Sequence, residues 1–198
     1  MTLEQIAKKH KTTKWPHGFM PIYEKYFAGR RYQPMRLLEI GVDKGDSMKM
    51  WCEYFPDGHI TGVDKHLIYE SDDCELIEGD ITLQDTQDKL IHSYDIIIDD
   101  GSHIAEEQLK AFSDLWYRLK PGGYYVIEDL FTLFDPVWNP TAVNIINMVS
   151  ARMKNILTGG DSIQEVHYYG RNDINGIMFL RKRDEEFRIQ PIDEFQNL

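Results

Sequence analysis

Ile96-Ile97-Ile98-Asp99-Asp100-Gly101-Ser102-His103 joins a β-branched apolar run to two carboxylates, a glycine, a hydroxyl and an imidazole. Three consecutive isoleucines read as a strand buried on both faces, because stiff β-branched side chains pack well on a pleated surface. The abrupt change after Ile98 puts the polar residues at the carboxyl end of that strand. In open α/β sheets, ligands bind just beyond such ends. Two aspartates and a histidine there can hold a cation and move a proton.

Outward from this stretch the same pattern recurs. Arg36-Leu37-Leu38-Glu39-Ile40-Gly41 reads as a first strand, 59–64 as a second and 74–80 as a weaker third; 94–99 is the fourth and 124–129 the fifth. Helices are expected over 48–55, 86–92 and 104–119. The last is amphipathic, with Ala111, Leu115, Trp116 and Leu119 apolar, and is broken by Lys120-Pro121-Gly122-Gly123. An aromatic loop follows over 130–140, then a helix over about 142–157. Strands at 166–169 and 176–180, joined by a short polar loop, form an antiparallel pair. Alternation of strand and helix predicts an α/β fold, a Rossmann-like doubly wound sheet of about seven strands. It is mostly parallel, with an antiparallel C-terminal hairpin and helices on both faces.

The 198 residues read as a single domain: an N-terminal helical segment 1–34, a core 35–182 and a polar tail 183–198. Helices are expected at 5–9 and 21–27. The aromatics Trp15, Phe19, Tyr23, Tyr26 and Phe27 read as packing against the core; the alternative makes 14–19 part of a lid. A net charge of −11, with its one basic run Arg181-Lys182-Arg183 followed by three acids, argues against nucleic acid or anionic membranes as partners. No apolar run approaches the ~20 residues of a membrane span. The first ten residues lack the apolar core of a signal peptide, so a cytoplasmic protein is expected. Cys52 and Cys74 are too few for a disulfide framework and read as structural thiols. Formation of a homo-oligomer is left open.

Glu39-Ile40-Gly41-Val42-Asp43-Lys44-Gly45 lies at the first strand-to-helix turn, where glycines let the backbone approach a ligand. Its spacing is not G-x-G-x-x-G. Asp43 and Asp46 would repel a pyrophosphate, whereas S-adenosylmethionine, with a sulfonium and an amino group, suits such a turn. Asp64 ends the second strand about 20 residues on, where an acid can accept both ribose hydroxyls. Asp80, after the third strand, can reach the adenine amine. Three acids at successive strand ends favour a nucleoside site over isolated surface carboxylates.

Leu38-Glu39-Ile40-Gly41, Gly62-Val63-Asp64, Gly79-Asp80, Ile98-Asp99-Asp100-Gly101-Ser102-His103, Leu119-Lys120-Pro121-Gly122-Gly123 and Val126-Ile127-Glu128-Asp129 together resemble a class I S-adenosylmethionine-dependent methyltransferase. More narrowly, over about 11–180, the chain resembles the metal-dependent sugar O-methyltransferases typified by the mycinamicin deoxysugar enzyme. The resemblance implies that Asp100, Glu128 and Asp129 bind Mg²⁺ or a similar divalent cation. It also implies that His103 is the general base and that Asp99 lies on the cofactor side. Glu39, Gly41, Val42, Gly45, Ser47, Asp64, Asp80 and Ile81 complete the expected cofactor site; the family often has glutamine where this chain has Ile81.

The residues support the same chemistry. Three carboxylates at two neighbouring strand ends repel one another, and a hard divalent ion relieves this. Such an ion acidifies a hydroxyl placed beside it, and His103 completes its deprotonation. Trp15, His17, Phe131, Phe134 and Trp138 are expected as walls of the acceptor pocket. The expected reaction is methyl transfer to a hydroxyl of a sugar or glycosylated small molecule. The alternatives are a catechol-type phenol acceptor, a nicotinamide-dependent oxidoreductase, or an inactive nucleoside-binding module.

Overall fold

A computed structural model describes residues 1–90, 93–141, 143–170 and 176–184. Seven strands form one sheet: β1 (Met35–Ile40), β2 (Gly58–Asp64), β3 (Glu75–Glu78), β4 (Tyr94–Asp99), β5 (Leu119–Ile127), β6 (Ile163–Gly170) and β7 (Gly176–Lys182). Their order is β3-β2-β1-β4-β5-β7-β6. The first five are parallel, and β7 enters antiparallel between β5 and the edge strand β6. This is the sheet expected from the sequence.

Alternate residues of each central strand face opposite layers, as the pleat requires. Leu37, Ile96, Ile98, Val126 and Phe179 meet helices α1 (Leu3–His10), α2 (Met20–Phe27) and α3 (Asp46–Tyr54). Past the short α4 (Gln84–Gln87), α5 (Ala105–Leu115) and α6 (Ile145–Leu157) cover the other face, against Leu38, Ile97, Tyr125 and Leu180. Ile96, Ile97 and Ile98 are each fully buried, worth about 1.5–3 kcal/mol apiece.

The N-terminal segment is built into the first layer. Phe19, Tyr23 and Phe27 are fully buried, and the ring of Tyr26 stacks on Phe179 with centroids 4.1 Å apart. Of the aromatics expected to pack, Trp15 alone is exposed, its ring 5.1 Å from the Lys8 ammonium.

Several element boundaries differ from expectation. The helix expected over 104–119 ends at Leu115 and passes through a 3₁₀ turn, Trp116–Arg118, into β5. The expected break at 120–123 lies inside β5, where the pairing jumps from Tyr94↔Leu119 to Ile96↔Tyr124; a bulge absorbs the extra residues. Asp46 already opens α3, because Gly45 adopts the left-handed conformation just before it. The helix expected over 86–92 is cut to α4, with 88–90 non-helical, and the helix expected from about 142 starts at Ile145; positions 91–92, 142, 171–175 and the tail from 185 lie outside the described residues.

Candidate active site

The carboxyl ends of β1, β2 and β4 open onto a cavity of about 490 Å³. One wall is the turn after β1. Gly41 has a φ of +93°, and a Cβ there would stand 2.7 Å from the carbonyl carbon of Asp100 and closer still to its oxygen. Only glycine permits that approach, which ties the ends of β1 and β4 together. The amides of Val42 and Asp43 donate to Asp64 Oδ2 at 2.8 and 3.1 Å, and that of His66 to Oδ1 at 2.9 Å. Burial raises the pKa of Asp64, and these three amides outweigh it, holding the group below the ordinary carboxylate range.

The other wall follows β4 and β5. Asp100 and His103 come from the loop after β4, and Asp129 from the residue pair after β5. One ligand atom each of Asp100, His103 and Asp129 falls within 4.8 Å of the others. His103 and Asp129 have φ of +59° and +54°, a conformation that non-glycine residues rarely adopt and that concentrates at functional sites. His103 Nδ1 and Asp129 Oδ1 are buried without hydrogen-bond partners. Burial first, then the Asp100 carboxylate, raises the pKa of both Glu128 and Asp129. Asp99 is pushed up to about 7, by burial above all. Crowded carboxylates and an imidazole, with unsatisfied atoms among them, fit a hard divalent cation.

Lys14 completes the cluster and was not among the expected residues. Its ammonium donates to Asp100 Oδ2 and to Glu128 Oε1 (2.7 Å), and stands 3.0 Å from Glu39 Oε1. Burial works against its charge, but Asp100, Glu128 and Glu39 outweigh it and hold its pKa well above the ordinary value. The hydroxyl of Tyr23 also donates to Glu128 Oε1. Three adjacent strands, β1, β4 and β5, thus meet at one buried lysine.

Among the expected cofactor residues, Gly41, Val42, Ser47, Asp64, Ile81 and Asp99 line the cavity. Glu39 stands behind the wall, fully buried, accepting from Ser47 Oγ at 2.8 Å. Gly45 turns away from the cavity and packs against the Tyr69 ring. Asp80 is not on the wall either. Its carboxylate takes the Thr82 amide and hydroxyl at 2.9 and 2.8 Å and Lys65 at 3.1 Å, while Gly79, Ile81 and Thr82 face inward.

Of the expected acceptor-pocket residues, only His17 lines this cavity, with Nδ1 3.8 Å from Asp129 Oδ1. Trp15, Phe131, Phe134 and Trp138 are absent from its wall. A 3₁₀ turn, Leu130–Phe134, sends Leu130 and Leu133 into the core and leaves Phe134 74% exposed. Trp138 reaches the site indirectly, its ring 6.5 Å from that of His103. Thr12, Thr13, Ser102 and Gln108 line the cavity, and sequence reading missed them.

No family model matches the chain. It is 40% identical over 158 residues to the 8-demethyl-8-(2-methoxy-alpha-L-rhamnosyl)-tetracenomycin-C 3'-O-methyltransferase of Streptomyces olivaceus, which covers 71% of this chain and 40% of that one. The chain is a homologue of the sugar O-methyltransferases. Another relative is the mycinamicin VI 2''-O-methyltransferase of Micromonospora griseorubida, 36% identical over 148 residues, covering 68% of this chain and 37% of the relative. Among solved structures, the MycE methyltransferase in complex with Mg, SAH and mycinamycin VI superposes with a TM-score of 0.82. It is 28% identical and the match covers 96% of this chain and 57% of that one. The chain therefore spans about 40% of the length of the curated relatives it matches. Among the described residues, no helix is long and apolar enough to cross a membrane.

Proposed function

We propose that this sugar O-methyltransferase homologue transfers a methyl group from S-adenosylmethionine to a hydroxyl of a sugar or glycosylated small molecule, with a divalent cation such as Mg²⁺. The observation that carries this reading is the meeting of Asp100, His103 and Asp129 on one wall of a cavity whose other wall is the Gly41 turn. The printed descriptions of the relatives, sugar O-methyltransferases and a Mg- and SAH-bound enzyme, support it.

In this reading the cofactor lies along Gly41, Val42 and Ile81, with Asp64 beside the ribose and Asp99 beneath it. Asp100, Glu128 and Asp129 supply the carboxylates for the ion. A divalent ion bound there acts as a Lewis acid toward an adjacent hydroxyl. His103 receives the hydroxyl proton at Nε2, the ring nitrogen turned toward Asp129 Oδ2 at 3.7 Å. The carboxylate then stabilises the imidazolium. His17, Thr12 and Thr13 border the acceptor side. The reading is of a cytoplasmic enzyme with a small-molecule acceptor.

The experiment is direct. The chain is incubated with S-adenosylmethionine, Mg²⁺ and a panel of glycosides and nucleotide-sugars, and products are read by mass spectrometry for a one-methyl gain. Catechols form the control panel. Methylation of catechols alone would reject the sugar acceptor, and no methylation with no S-adenosylhomocysteine binding would reject the reading entirely.

A further inference from the structure

Lys14 sits where a bare sheet would present only acids. Glu39, Asp100, Glu128 and Asp129 are four carboxylates at the ends of three neighbouring strands, β1, β4 and β5. Fully ionised they carry four negative charges, and one divalent ion cannot balance them. Lys14 is 1% exposed, and its ammonium contacts three of the four. A buried charge persists only when paired on this scale. The ammonium uses Oδ2 of Asp100 and Oε1 of Glu128, so each of those carboxylates keeps its second oxygen. Asp129, the fourth, is not among its partners and faces His103 and His17 instead.

The backbone around Lys14 is local and tight. Its amide donates to Thr12 Oγ1 at 3.4 Å, and its carbonyl accepts from Phe19 at 3.4 Å. Thr12, Thr13 and His17, which line the cavity, belong to this same short stretch. The side chain that neutralises three of the acids therefore belongs to the segment that borders the acceptor side.

We propose that Lys14 is a positioning residue: a resident counter-ion that takes one oxygen of Asp100 and of Glu128 together with Glu39, leaves the remaining carboxylate oxygens to a divalent ion, and seats residues 12–17 over the cavity. The inference rests on the functional reading above for the divalent ion. Removing the ammonium leaves the acid cluster more negative, so it attracts a dication more strongly while the segment loses its anchor.

The test measures Mn²⁺ binding to the full chain by electron paramagnetic resonance, with S-adenosylhomocysteine binding as the control for an intact fold. Lys14→Met is expected to bind Mn²⁺ at least about tenfold more tightly than wild type, because a like charge beside the ion has gone. Lys14→Arg, which keeps the charge, is expected to stay within about threefold. Amides of residues 12–18 are expected to exchange with solvent faster in Lys14→Met. Equal or weaker Mn²⁺ binding in a Lys14→Met protein that still binds S-adenosylhomocysteine would overturn the counter-ion role. Unchanged exchange over 12–18 would overturn the tether. If Lys14→Met does not fold, the pair Lys14→Met/Glu128→Gln and Glu128→Gln is compared instead, with tightening or its absence read in the same way; failure of that double variant to fold also overturns the proposal. Wild-type protein that binds S-adenosylhomocysteine but no Mn²⁺ would overturn both this proposal and the metal part of the functional reading.

Discussion

Nε2 of His103 stands 3.7 Å from Oδ2 of Asp129, and both residues hold a left-handed backbone at the ends of neighbouring strands. With these backbones the imidazole, about a quarter exposed, faces the acid cluster. Replacing the imidazole leaves the Gly41 wall untouched. His103→Ala is expected to lower kcat by about 10²–10⁴ while the affinity for S-adenosylhomocysteine, measured by calorimetry, changes little.

Chelation separates the two walls in the same way. EDTA, or Asp100→Asn, is expected to abolish methyl transfer while leaving S-adenosylhomocysteine bound, as followed by calorimetry. Full turnover in EDTA would remove the cation from the mechanism.

Gly41 allows no substitution. An added Cβ meets the Asp100 carbonyl and also forces a φ of +93° on an L-residue. Gly41→Ala is expected to lose on the order of 1–3 kcal/mol of stability in urea denaturation, and to weaken S-adenosylhomocysteine binding as the two walls separate.

Asp99 gives the stability a pH dependence. Its folded pKa of about 7 lies above the ordinary 3.8, so the folded chain holds a proton there that the unfolded chain releases. The contribution of this group is fully present below about pH 4 and is lost as the pH rises toward 7. Asp99→Asn removes that loss. Measured without cofactor, the stability of Asp99→Asn relative to wild type is expected to rise between pH 4 and pH 7, by at most about 4 kcal/mol. A flat difference would place the Asp99 carboxyl in an ordinary environment.

The two cysteines are neighbours in space. Cys52 Sγ donates to the carbonyl of Asp73, the residue before Cys74, at 3.6 Å, and each thiol shifts the other's acidity. The Cys52 thiol, outweighing burial, brings Cys74 down to about 7, while Cys74 and burial together push Cys52 up. Iodoacetamide is expected to label Cys74 first, at a rate that climbs through neutral pH, read by peptide mass spectrometry. Preferential labelling of Cys52 would contradict this polarity.

The strands and their acids were legible in the sequence because a buried parallel strand is an unbroken apolar run, and a change to carboxylates marks its end. Val126-Ile127-Glu128-Asp129 and Ile98-Asp99-Asp100 carry that signal without any knowledge of their neighbours. Lys14 carries none. It is 86 residues from Asp100, in a stretch without period, and only the packing of α2 against the sheet brings them together. The aromatic loop misled for a different reason. Leu130 and Leu133 take the inward positions of a 3₁₀ turn, so the larger rings beside them could not. Asp80 lies off the wall because a carboxylate after a strand is as readily captured by its own turn, here Thr82, as by a ligand.

The stacking of Tyr26 on Phe179, with the Tyr26 and Tyr169 hydroxyls 2.6 Å apart, sets an order of assembly. Helices α1 and α2 are synthesised before any strand of this sheet, yet their docking surface includes β7, the last strand of the sheet to be made. They must wait, half-formed and apolar, while some 150 residues emerge. Translation therefore finishes the acidic strand ends before the segment that borders them can settle, and slow folding or chaperone dependence would have its origin in helices α1 and α2.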